Sequence, residues 1–296
     1  MKKIGQLRAK SSEQKNKMSS KRCFFATFLQ IVCLIVPVSY AGKLAIVIDD
    51  IGYRAKNDEA IYQLPKEVAV AIIPSTAQAT ARAKQAFGQQ RDVIIHLPMQ
   101  PKNKAQPIER EALLVGMNEA EVRKLMAFAQ QKVPYAVGLN NHMGSLATTD
   151  KALMRHLMTI LAEQKLFFLD SKTAGKSVAV ATAKEAGVKA LVRHIFLDDS
   201  DELVDVERQF QRAIEYARKY GTAIVIGHPR KNSIEVLQKG LANLPTDIQL
   251  VSMSHLWRGE KVEAVKPLIM QFEIEPALTS KPPFDYVPLL RGVPKD

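Results

Sequence analysis

Cysteine is nearly absent from this 296-residue chain: there are two, Cys23 and Cys33, and both lie in one apolar stretch near the N-terminus. If that stretch is removed on export, no thiol remains. That excludes cysteine catalysis, disulfides and thiolate metal ligands, and it fits an oxidising compartment. Aromatic residues are sparse at 6%. After residue 41 no stretch interleaves clustered Lys or Arg with aromatics, which excludes a nucleic-acid partner. There is no internal repeat, and no low-complexity tract beyond the polar N-terminal stretch.

The N-terminal 41 residues differ from the rest. A polar, basic stretch ends at Lys21-Arg22, the apolar run Cys23 to Val38 follows, and Ser39-Tyr40-Ala41 closes it. This is the layout of a secretory signal peptide with cleavage expected after Ala41, and it places the protein in the periplasm. An uncleaved signal anchor is the competing reading and the one route to membrane association, although Gln30 and Pro37 interrupt the run. Met18 offers an internal start, and Gln30-Ile31-Val32 lacks the small residues a lipidated Cys33 would need. Removing residues 1–41 leaves 34 basic against 29 acidic side chains and lowers the net charge from +12 to +5. The basic balance is therefore largely a targeting feature, and the remainder suits an anionic envelope polymer.

From residue 43 to about 257, short β-rich apolar runs alternate with segments of helical period. Strands are expected at 43–49, 67–73, 92–97, 135–140, 166–170, 190–197, 222–227 and 248–254. Asn118-Glu119-Ala120-Glu121 resembles a capping box. Leu203, Val206, Phe210, Ala213 and Ala217 share one face of the longest helix. Runs apolar throughout, such as Ala223-Ile224-Val225-Ile226, are what parallel strands covered on both faces look like. The class is α/β, an irregular (β/α) barrel of seven or eight parallel strands spanning residues 42–258. An open doubly wound sheet is the other architecture with this pattern. The barrel is preferred because Asp49-Asp50, His96, Asn141-His142, Asp170 and His228 all fall just past strand ends, and a barrel gathers those ends on one rim. Residues 259–296 form a Pro-rich extension, with one short strand expected around Leu268 to Glu273.

Ile46-Val47-Ile48-Asp49-Asp50-Ile51-Gly52 delivers adjacent carboxylates to a strand end. Crowded like charges need a cation or a shared proton. Three histidines at equivalent strand ends, His96, His142 and His228, supply imidazole, and with no thiols the natural cation is Zn2+ held by His, Asp and water. His156, mid-helix, and His255 read as surface or packing residues, and His194 has no assigned role. Asp198 and Asp199, beyond the same strand as Arg193, read either as acids lining the rim or, preferred, as a capping pair that opens the long helix.

The order of these motifs resembles the NodB-type polysaccharide deacetylases, and more closely their divergent branch of periplasmic or secreted proteins, over residues 43 to 257. The resemblance implies a NodB-like barrel with Asp49 as catalytic base, Asp50 and His96 as metal ligands, and His228, in Ile226-Gly227-His228, as general acid. Asn141-His142-Met143-Gly144-Ser145 stands at the third motif, where an Arg-Pro-Pro-Tyr-like sequence is usual. Gln100 occupies the position of a second family histidine, so His142 is expected to take that ligand's place. Phe168-Leu169-Asp170-Ser171-Lys172 stands at the fourth motif. There Asp170 is read three ways, as orienting His228, holding a substrate hydroxyl or capping the next helix. Asn141, Asp170 and Arg193 complete the candidate substrate or support residues.

The activity implied is zinc-dependent removal of N-acetyl groups from a polysaccharide or peptidoglycan-like polymer. Two rivals stand beside it: a non-catalytic glycan-binding or partner-docking protein on the same scaffold, and a metal hydrolase of another amide or ester substrate. The sequence leaves the oligomeric state unknown.

Overall fold

The computed structural model describes residues 42–258. The signal or anchor segment 1–41 and the extension 259–296, with its expected strand near Leu268, lie outside the described residues. Among the described residues there are nine strands: β1 (Gly42–Ile51), β2 (Ala69–Ile72), β3 (Val93–Met99), β4 (Ala136–Met143), β5 (Phe167–Asp170), β6 (Ala190–Val192), β7 (Ile195–Phe196), β8 (Thr222–Gly227) and β9 (Ile248–Leu250). The helices between and after them are α1 (Ala55–Tyr62), α2 (Ala79–Gly88), α3 (Glu119–Lys132), α4 (Lys151–Glu163), α5 (Ala179–Glu185), α6 (Leu203–Tyr220), α7 (Lys231–Ala242) and α8 (Met253–Arg258).

The strands run in the order β6-β5-β4-β3-β2-β1-β8-β7, with β9 beside β1, and every pair is parallel. One stretch of chain joins the two edges of this sheet. Residues 190–192 pair with β5, and after Arg193 and His194 the same stretch pairs with β8. The expected strand 190–197 is thus two short strands that change partner. His194 serves that change: its backbone N–H donates to Ile224 O at 2.9 Å and its Nδ1 accepts from Ile224 N at 2.9 Å.

Alternation along each strand separates two cores. Leu44, Ile46 and Ile48 of β1 face the helices with most of the apolar residues, whereas Ala45 and Val47 join Ile94, Phe167, Leu169, Ile224 and Ile226 inside the ring. Gly138 is required there, since a Cβ would stand 2.5 Å from the Phe167 ring. Here the structure corrects the expected strand 248–254: pairing stops at Leu250, and the chain turns into α8. Met253, Leu256 and Trp257 of α8 pack on the inner cluster, and their burial overrides the β propensity of the preceding residues.

Helix signals behave as their chemistry dictates. Asn118 and Glu121 form the reciprocal capping box, and α6 buries Val206, Phe210, Ala213 and Ala217. Among the described residues, no helix is long and apolar enough to cross a membrane.

Candidate metal and acid–base site

Inward register carries the site. On β1, Asp49 continues the inward series of Ala45 and Val47 and is buried. Asp50 would by alternation face outward. It does not, because the β1–β2 register slips between Ile48 and Ile51 and Asp50 takes φ +56°. This local bulge, with a non-glycine residue in the left-handed region, swings the second carboxylate to the same pocket as the first. Gly52 follows at φ +118°, where a Cβ would meet Thr76 Oγ1 at 2.2 Å, so only glycine completes the turn.

His96 on β3 pairs in register with Asn140 on β4, and Pro98 with His142. Asp50 Oδ1 lies 3.0 Å from His142 Nδ1 and 3.3 Å from His96 Nε2, and those two nitrogens are 3.1 Å apart. Among the described residues this is the one group of three ligating side chains with atoms close enough to share a metal ion. Ligands at about 2.0–2.1 Å from an ion sit about 3.3–3.4 Å apart in a tetrahedron and about 3.0 Å apart in an octahedron. The observed edges fall in that range. Asp50 Oδ1 is buried without a hydrogen bond, a state that costs about 1–3 kcal/mol unless another partner is supplied. The charge balance points the same way. Burial would lower His96, but Asp49, Asp50 and Asn140 push its pKa up to about 9. Burial would raise Asp50, yet the imidazoles of His142 and His96 hold it well below the usual carboxylate range. The donor set fits a divalent cation.

Behind the triangle, Asn140 is fully buried. Its Oδ1 lies 2.7 Å from His96 Nδ1, and its Nδ2 donates to Asp49 Oδ1 at 2.8 Å. Asp49 Oδ2 is 3.6 Å from His96 Nε2. Burial pushes the Asp49 carboxyl up, against the opposing pull of His96, His228 and Asn140. Beside His142, Nε2 lies 3.8 Å from Glu109 Oε1, and the Tyr53 hydroxyl donates to the same oxygen.

Across the pocket, His228 follows β8 with Nε2 at 3.8 Å from Asp50 Oδ2. Its Nδ1 faces Asp198 Oδ1 at 2.9 Å, and its backbone N–H donates to Asp198 Oδ2 at 2.7 Å. Ser233 Oγ donates to that same Oδ2 at 2.6 Å. Burial would raise Asp198, but these bonds and the His228 charge hold it down. Burial would lower His228, but Asp198, then Asp49 and Asp50, raise it. The imidazole is therefore biased toward its protonated form.

The structure brings Asp49, Asp50, His96, His142 and His228 together and separates others from them. Asp170 lies on the outward register of β5 with Phe168, while Phe167 and Leu169 face in. Its oxygens accept from Lys172 N at 2.8 Å and Ser177 Oγ at 2.7 Å. It holds the turn before α5, and Asp198 is the carboxylate on His228. Asp198 in turn is no helix cap, since α6 begins at Leu203 with Glu202 at its N-cap. Asn141 also points away: its amide joins Met143 O, Thr173 Oγ1 and Ser171 N. Arg193 bonds Ser171 O at 2.7 Å and lies 4.7 Å over Phe196, whose ring sits 5.4 Å from His228. Gln100 faces its own loop, with its backbone N–H donating to Leu113 O at 2.9 Å and its Oε1 accepting from Val115 N at 2.8 Å. Asn140 and Glu109 are the site residues that motif reading passed over, and Asp198 is the one it weighed as a rim acid but preferred as a cap. Strand parity would have placed Asn140 and Asp198, and Glu109, in a long loop, has no local signal.

A family profile of divergent polysaccharide deacetylases matches residues 46–257. The chain belongs to that family. An uncharacterized protein of Haemophilus influenzae is 58% identical over 254 residues, 86% of this chain and 90% of that one. YibQ of Escherichia coli K12, also uncharacterized, is 42% identical over 240 residues, 81% and 75% of the two chains. Among solved structures, an uncharacterized protein from Agrobacterium tumefaciens C58 superposes with a TM-score of 0.69 at 20% identity, covering 74% of this chain and 90% of its own. A putative cellobiose-phosphate cleavage protein of Enterococcus faecalis V583 gives a TM-score of 0.52 at 13% identity, covering 73% and 99%. These likenesses concern the fold alone, an irregular parallel-stranded barrel.

Proposed function

We propose that this protein is a metal-dependent deacetylase of the cell envelope that hydrolyses N-acetyl groups on a polysaccharide or peptidoglycan-like polymer in the periplasm. One observation carries the reading: a carboxylate and a protonation-biased imidazole flank a triangle of three ligating atoms. Asp50, His96 and His142 would hold the ion, most naturally Zn2+. Bound there, it would supply Lewis acidity toward the amide carbonyl and toward water.

The remaining steps belong to the chain's own groups. Asp49, fixed by Asn140, takes the proton of the attacking water. His228, steadied by Asp198, gives a proton to the departing nitrogen as the C–N bond breaks, so that water and amide become acetate and a free amine. The pocket thus offers a carboxylate to take a proton and, in His228, an imidazole biased toward the protonated form to give one. Gln100, which faces its loop, takes nothing from this arrangement. The site keeps three ligands because His142 reaches it from the next strand.

Acetate release from N-acetylglucosamine oligomers and peptidoglycan fragments tests the proposal, with Asp49→Asn and His228→Ala as controls. Turnover by the wild type with losses of about 10²–10⁴ in each variant is expected. A wild type no faster than its variants, with zinc bound, would favour the glycan-binding reading.

A further inference from the structure

We infer that Asn140 is a positioning residue that sets metal ligand and catalytic base together through one amide. This rests on the metal reading above. The two ends of the Asn140 side chain are not interchangeable. Its Nδ2, which can only donate, bonds Asp49 Oδ1 at 2.8 Å. That turns Oδ1 toward His96 Nδ1 at 2.7 Å. Nδ1 then carries a hydrogen, which leaves Nε2, the atom in the triangle with Asp50 and His142, as the nitrogen of His96 that would ligate an ion.

The residue is fully buried, so no water competes for either bond. Its register opposite His96 holds it beside both partners. Ser171 Oγ, 3.5 Å from Nδ2, is its other polar neighbour. Ligating histidines commonly give their second N–H to a carboxylate or carbonyl, which fixes tautomer and ring plane. Here the acceptor is a neutral amide whose other end grips the base. A carboxylate in its place would serve His96 equally well and repel Asp49.

Asn140→Asp and Asn140→Leu separate the two duties. The purified full chain is assayed for Zn2+ affinity by competition with a chromophoric chelator, and for acetate release from N-acetylglucosamine oligomers. Asn140→Asp is expected to bind zinc within about threefold of the wild type or more tightly, while turnover falls at least about 100-fold. Asn140→Leu, which gives His96 no acceptor, is expected to bind zinc about 10- to 100-fold more weakly. Should Asn140→Leu fail to fold, the split within Asn140→Asp decides alone. Wild-type zinc affinity in Asn140→Leu, zinc affinity in Asn140→Asp that falls with its turnover, or full turnover in Asn140→Asp would overturn the inference. A wild type that binds no zinc fails the metal reading itself and takes this inference with it. If the wild type binds zinc but leaves these oligomers uncut, the order of the three zinc affinities decides.

Discussion

The imidazoles on the two sides of the pocket are prepared in opposite ways. His96 and His142, on β3 and β4, crowd around a carboxylate oxygen that has no hydrogen bond of its own. His228, beyond β8, is tied at both its ring Nδ1 and its backbone N–H to one ionised, buried acid whose further lone pair goes to Ser233. The first side leaves a buried carboxylate oxygen unbonded and the second satisfies its carboxylate fully. In the proposed reading a cation sits on the first side and a proton on the second. The difference arises from which carboxylate has other donors: Asp198 has three, and Asp50 Oδ1 has none.

Substitutions that empty the first side break the comparison most severely. Asp50→Ala is expected to abolish the roughly one zinc per chain that metal analysis should find in the wild type. Retained stoichiometric zinc would remove the ligand assignment. Asp49→Asn is milder in binding and severe in turnover: zinc stays, and acetate release falls by about 10²–10⁴.

Asp198→Asn attacks the second side. The folded-state pKa of Asp198 lies below the ordinary carboxylate value. Its ionisation therefore adds stability that is fully present above that value and lost as pH falls through the lowered one. His228 is raised above its ordinary value, so its charge adds stability present below about 6.5 and lost as pH rises through the raised value. At neutral pH the substitution is expected to cost about 1.5–3 kcal/mol by denaturant unfolding. It should also move the alkaline limb of the rate profile to lower pH, because the proposed acid is the protonated form of His228. An unmoved limb would separate Asp198 from the acid. Asp170→Asn supplies the contrast, with zinc and rate profile unchanged.

Smaller effects sharpen the first side. Glu109→Gln is expected to weaken zinc by no more than about tenfold through His142. Gln100→Ala removes one hydrogen bond to Val115, worth about 0.5–1.5 kcal/mol. It should speed proteolysis within 101–118 and leave zinc affinity alone. A loss of zinc in Gln100→Ala would mean that the loop or Gln100 itself serves the metal.

Much of this architecture was legible in the residues. Apolar runs and capping signals locate strands and α3, and polar residues past strand ends mark one rim. Position along the chain, however, does not tell which face a side chain takes. Asp170 and Asn141 stand at strand ends beside chemically similar neighbours yet face outward. Asp198 and Asn140 face in because Phe196 and Gly138, two residues before them, do. Asp50 defeats simple parity as well, since its inward aim depends on a bulge that composition does not announce. Glu109 reaches His142 only through the folded loop that Gln100 anchors.

The most direct test is the position of the ion. In a crystal of the purified protein with zinc, anomalous scattering should show one site within about 2.0–2.2 Å of Asp50 Oδ1, His96 Nε2 and His142 Nδ1 together, with His228 still on Asp198. An empty triangle at saturating zinc, or an ion held by other residues, would contradict the account.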